Sequence, residues 1–137
     1  LAALGLSTMA VSQDTAWDGH VLRRVAAMND ARVVMGRLHD MAGANAIFHR
    51  DRARLDRKAL IKFSKSLPRL FRKERMDLPS RAKPGVWENR AMFRVRARIA
   101  LAAARGINPR SAETLRATLP DMLQACLDCH KQFRAPP

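Results

Sequence analysis

Cys126-Leu127-Asp128-Cys129-His130, close to the C-terminal end, constrains this chain more than any other stretch. Its two thiols lie three positions apart, one helical turn from each other, and an imidazole follows at once. That C-x-x-C-H spacing is the attachment site of a c-type haem. The thiols add to the two vinyl groups of one porphyrin, and His130 presents a ring nitrogen to the iron as proximal ligand. Zinc is the competing reading. It takes four protein ligands, or three and a water. The only two cysteines are both inside the motif, so zinc would have to recruit distant histidines.

The rest of the chain must therefore surround a haem. Its 137 residues suffice for one domain with a core. No cysteines remain for a disulfide framework, so stability rests on packing and the cofactor. Tyr is absent and Gly scarce, whereas Ala, Leu, Arg and Met are plentiful, which favours helix over sheet.

The net charge of +14 is uneven: residues 50–98 carry 17 Lys and Arg against 5 Asp and Glu. Nucleic-acid binding is the usual suspicion for such a balance. No basic-aromatic interleaving and no nucleic-acid motif accompanies it, so none is expected. Two readings stand. The charge is a solvated helical face, or it is a docking face for an acidic redox partner or an anionic membrane surface.

Leu1 to Val11 is apolar, small and uncharged. It is too short to span a bilayer. It reads as the remnant of a signal peptide, with Thr8-Met9-Ala10 near a small-x-small cleavage site, or as an ordinary loose N-terminus. Residues 12–137 would form the domain.

Four helical blocks follow. The first runs from about Thr15 to Gly43, with Val21, Val25, Met28, Val34, Met35, Leu38 and Met41 at helical spacing. Asp14 or Asp18 would cap it. The second spans about Arg52 to Phe71, its apolar face including Leu55, Phe63, Leu67 and Leu70, and Pro68 should end or kink it. The third spans Val86 to Ala104, with Trp87, Ala91, Val95, Ile99 and Ala103 recurring every four residues. The fourth starts at the N-cap Ser111 and runs to about Arg134 through Leu115, Leu119, Met122, Leu123 and Phe133. Pro120 predicts a kink or late restart. Four amphipathic helices with short connections predict an all-α, antiparallel four-helix bundle.

With the motif on the last helix of such a chain, the sequence resembles cytochrome c′ and its low-spin relatives among the class II cytochromes c. Cys-Leu-Asp-Cys-His-Lys-Gln-Phe-Arg is similar to the family's ending. Leu115-Arg116-Ala117, Val86-Trp87 with Phe93, and Leu67-Pro68 resemble its other helix signatures. Arg24, followed four positions later by Met28, matches its first-helix pattern. The resemblance covers about residues 16–135.

It implies roles for these positions. Cys126 and Cys129 would hold one haem c, with His130 proximal. Met28 would lie over the distal face, as sixth iron ligand or packed above the iron; read without the family, it is a core Met. Arg24 would pair with a haem propionate, or it is a surface Arg, with Arg23 as substitute. Trp87 and Phe93 would line the haem pocket or the core, and Phe133 and Arg134 would lie on the proximal side. Met35 and Met41 read as core. His20, His39 and His49 read as surface or capping residues, with bis-histidine ligation the minor alternative.

The expected function is that of an exported, periplasmic single-electron carrier with His/Met-ligated low-spin haem, not an enzyme. The alternatives are a five-coordinate cytochrome c′ that binds NO or CO, and a haem subunit docked by its basic face on a membrane complex. The family implies a homodimer through the first two helices, which the basic second helix disfavours.

Overall fold

The computed structural model describes residues 16–137. The signal-like Leu1–Val11 and the candidate cap Asp14 lie outside the described residues. Five helices form: α1 Gly19–Ala42, α2 Arg50–Leu70, α3 Gly85–Glu88, α4 Arg90–Gly106 and α5 Ala112–Phe133. Four are long, and they make the expected bundle. α1 packs on α2 and α5, and α4 packs on the same two.

Named contacts give the antiparallel sense. Arg57, early in α2, donates to the carbonyl of Arg105 in the last turn of α4. Arg90, at the start of α4, donates to the carbonyls of Phe71 and Pro68 at the end of α2. Arg116 in α5 reaches the carbonyl of Ala42, where α1 stops, at 2.9 Å. Arg37 of α1 grips Asp56 of α2 through two bonds of 2.6 and 3.1 Å. Asp56 is buried, and a carboxylate taken out of water needs such a charged, hydrogen-bonded partner.

Local chemistry sets the ends. Asp18 accepts from the amides of His20 and Val21 at 2.8 and 3.3 Å, filling two of the donors that a helix start leaves free. Its own amide donates to Asp77 at 2.8 Å, which ties the start of α1 to the α2–α3 connection. Ser111 and Thr114 form a reciprocal capping box on α5.

Four expectations need correction. The third block is broken: α3 is one turn, and Asn89 restarts the chain as N-cap of α4, accepting from Met92. The buried stripe of α4 is Phe93, Ala97, Ala100 and Ala104, and Ala91 and Ile99 are exposed. Leu55 and Leu123 are also exposed rather than core. Pro120 causes no restart, since α5 is unbroken through it. Pro120 and Arg116 are both exposed, so water can serve the carbonyl that loses its donor. Pro68 sits in the last turn of α2, where one lost bond costs least, and the helix ends two residues later.

The core divides in two. One half is aliphatic, built around Leu38, Leu60, Ile107, Leu115 and Met122. The other is aromatic, built around Phe71, Phe93 and Phe133 with Leu67, Val86 and Ala97. The buried rings thus gather at the end of the bundle where α5 finishes, and a half-buried Phe48 packs on the aliphatic half.

Candidate functional site

The C-x-x-C-H motif occupies the last turns of α5 and straddles this division. Cys126 packs against the aliphatic cluster and Cys129 against the aromatic one. Both are half-buried, and neither is in a disulfide. Burial pushes the Cys126 thiol up from its ordinary value. It pushes Cys129 up to about 11, with Cys126 adding to the rise and Arg96 opposing it. Burial, and then the Arg134 cation, lowers the pKa of His130. Both effects favour the neutral imidazole, the form that ligates a metal. Among the described residues no group of three or more His, Cys, Asp or Glu converges as a metal cluster. The zinc reading therefore lacks its further ligands.

The segment before α3 fastens the end of α5. The Lys83 amide donates to the Phe133 carbonyl at 2.8 Å, and the Ala135 amide to the Arg81 carbonyl at 2.7 Å. Ala82 and Arg134 form an isolated antiparallel bridge. These bonds hold the chain immediately after His130. The sequence marks the segment only as a polar loop, because backbone pairing of this kind leaves no side-chain signature.

The aromatic cluster gathers most of the candidate residues. The Phe93 ring lies 5.1 Å from Phe71, tilted, and 5.5 Å from Phe133, edge to face. Both are favourable arrangements for aromatic quadrupoles. Trp87 is half-buried against the same cluster and donates its indole N–H to the Phe71 carbonyl at 2.8 Å. Met28 of α1 is half-buried and packs on it, as does Cys129 of α5. Arg134 is exposed at the C-cap of α5.

Arg24 is the buried cation of the site, with only 3% of its surface exposed. Its guanidinium lies 5.2 Å from the Phe71 ring centroid and 5.3 Å from that of Trp87. It donates to the carbonyls of His20 and Arg75. Among the described residues no carboxylate pairs with it, and its Nη1 is buried without a partner. Burial presses its pKa below the ordinary arginine value. A buried cation with a free donor suits an anionic group of a ligand. The surface alternative for Arg24 is therefore excluded.

The remaining candidates are elsewhere. His20 is held by Arg23 at 2.9 Å, and His39 and His49 are exposed. Phe71 and Arg75 were missed as site residues. Phe71 stands where a helix ends, and Arg75 acts through its carbonyl, so neither carries a motif.

A family model described as Cytochrome C′ matches residues 20–134. The chain belongs to the cytochrome c′ family. No curated protein matches it. Among solved structures, cytochrome c′ from Rhodopseudomonas palustris is 25% identical with a TM-score of 0.78, over 87% of this chain and 98% of that one. A ferrous variant of cytochrome c′ from Alcaligenes xylosoxidans with bound NO is 17% identical, TM-score 0.76, over 86% and 94%. A carbon monoxide-bound variant of the same protein is 20% identical, TM-score 0.74, over 85% and 94%.

Cytochrome c′ proteins bind haem c, and Cys126 and Cys129 stand where that attachment requires them. The residues present fit the group: two adjacent half-buried thiols, a neutral-leaning imidazole, aromatic packing and a buried cation with a spare donor. No described helix is long and apolar enough to cross a membrane.

Proposed function

We propose that this protein carries one haem c in the periplasm and binds a diatomic gas such as NO or CO on the face opposite His130. The cofactor supplies an iron that can coordinate such a gas. The chain's own residues do the rest. Cys126 and Cys129 anchor the group, and His130 holds the proximal side. Arg24 offers its unpartnered Nη1 to a propionate. Phe93, Phe133 and Trp87 exclude water, with Arg134 beside the proximal ligand.

The observation that carries the reading is the bundle shared with proteins whose structures hold NO and CO. The distal side agrees with it. Met28 of α1 packs on the aromatic cluster, and a flexible thioether can pack above the iron and yield to a small molecule.

The second reading is the electron carrier. It is favoured because Met28 of α1 and Cys129 of α5 meet the same aromatic cluster. If the Met28 sulfur ligates the iron, the site is six-coordinate and low-spin with a raised potential. In that case the basic surface of residues 50–98 would serve as the docking face for an acidic redox partner.

The absorption spectrum of the reduced protein, taken with and without CO, separates the two. A broad α band that shifts on adding CO is the expected result. A sharp α band indifferent to CO would overturn gas binding, and its loss in Met28→Ala would then identify Met28 as the sixth ligand.

A further inference from the structure

A second concavity lies at the far end of the bundle from the motif. α5 rises about 20 Å between Ala112 and Cys126, at ~1.5 Å per residue. There, Arg50, Arg54 and Arg57 project from one face of the first turns of α2. Arg105, in the last turn of α4, and Arg110, just before Ser111, face them across a cavity of about 630 Å³. Gly106, Ile107, Asn108 and Pro109 complete the lining, and Ile107 is fully buried.

Among the described residues five arginines line this cavity and no acidic residue does. Like charges gathered in a concavity repel, and the concavity focuses their field outward. The bundle does not disperse them. The Arg57 Nη2 donates to the Arg105 carbonyl at 2.7 Å, which holds the side chain across the cleft. Its Nε is buried and has no partner. The site therefore combines a fixed guanidinium, a spare buried donor and four further cations. The volume matches a small-molecule site rather than a protein interface.

We propose that this five-arginine pocket binds a multiply charged phosphoryl group. Guanidinium forks pair with phosphate oxygens two at a time, which a single carboxylate or chloride cannot use as fully. The group can come from a soluble polyphosphate-type anion or from a phospholipid headgroup. The pocket is separate from the haem site and stands whichever distal ligand the iron has.

The test uses the haem-loaded protein, titrated calorimetrically with inorganic tripolyphosphate at about 0.15 M salt, where unfocused surface charge is largely screened. Vesicles containing phosphatidic acid, whose headgroup is a phosphomonoester, form the second arm in a sedimentation assay. The pocket variant combines Arg54→Gln, Arg105→Gln and Arg110→Gln, all exposed side chains. The control, of equal charge loss, combines Arg72→Gln, Lys73→Gln and Arg98→Gln, exposed and outside the pocket. An unchanged haem spectrum verifies folding of both. The pocket variant is expected to bind about tenfold or more weakly, and the control within about threefold of the parent. Loss of tripolyphosphate binding identifies a soluble ligand. Loss of vesicle binding alone identifies a headgroup. If the parent binds neither probe, or the control weakens as much as the pocket variant, the site is refuted.

Discussion

The guanidinium of Arg24 lies 5.2 Å from the centroid of the Phe71 ring, and two backbone carbonyls, of His20 and Arg75, hold it there. A cation carried by α1 is thus built into the aromatic cluster that packs against Cys129 of α5. Removing it leaves acceptors without their charged donor. Arg24→Met is expected to cost about 1–3 kcal/mol, read as a shift in the guanidinium chloride midpoint of the haem-loaded protein. Arg24→Lys should recover only part, because an ammonium lacks the planar fork. A midpoint unchanged in both variants would show that the cation is incidental.

Asp18 should make stability depend on pH. Burial raises its pKa, but the amides of Val21 and His20 outweigh this, and the folded value lies below the ordinary 3.8. A folded pKa below the unfolded one gives stability that is fully present above the unfolded value. It is lost as pH falls through the folded value. Asp18→Asn keeps a capping oxygen that does not titrate. The melting-temperature gap between the parent and this variant should be largest near pH 7 and shrink as pH falls below 3.8. A gap that stays constant across that range would exclude a role for the ionised cap.

The two halves of the core should respond differently to truncation. Phe93 touches Phe71 and Phe133 in the aromatic half, and Leu115 is fully buried in the aliphatic half. Phe93→Ala should cost about 3–5 kcal/mol and Leu115→Ala about 2–5. Only Phe93→Ala should also change the haem absorption spectrum. A spectral change of equal size in both variants would mean that the aromatic cluster does not specifically frame the cofactor.

Much of the fold is legible in the residues alone. The Ser111 cap and the Asp18 cap carry strong local signals, and the structure keeps them. The α4 face shows where such reading slips. A repeat taken every four residues advances about 40° too far per step against a period of 3.6. The row Ala91, Val95, Ile99 therefore drifts to solvent. The row actually buried, Phe93, Ala97, Ala100 and Ala104, alternates steps of four and three. Alanines carry little periodic signal, and only the closeness of the α2 and α5 backbones makes them core.

By itself the sequence determined the helical class and pointed to the family's cofactor. Those follow from bonds between neighbours in the chain: a turn-spaced pair of thiols, an adjacent imidazole and capping side chains. Tertiary structure decided the burial of Arg24 beneath Phe71 and Trp87. It also strapped Lys83 and Ala135 across the end of α5, and it collected five arginines from α2 and the α4–α5 connection into one pocket. Each of these joins residues far apart in the chain. Their energies depend on desolvation and on which backbones approach, and no local pattern encodes either.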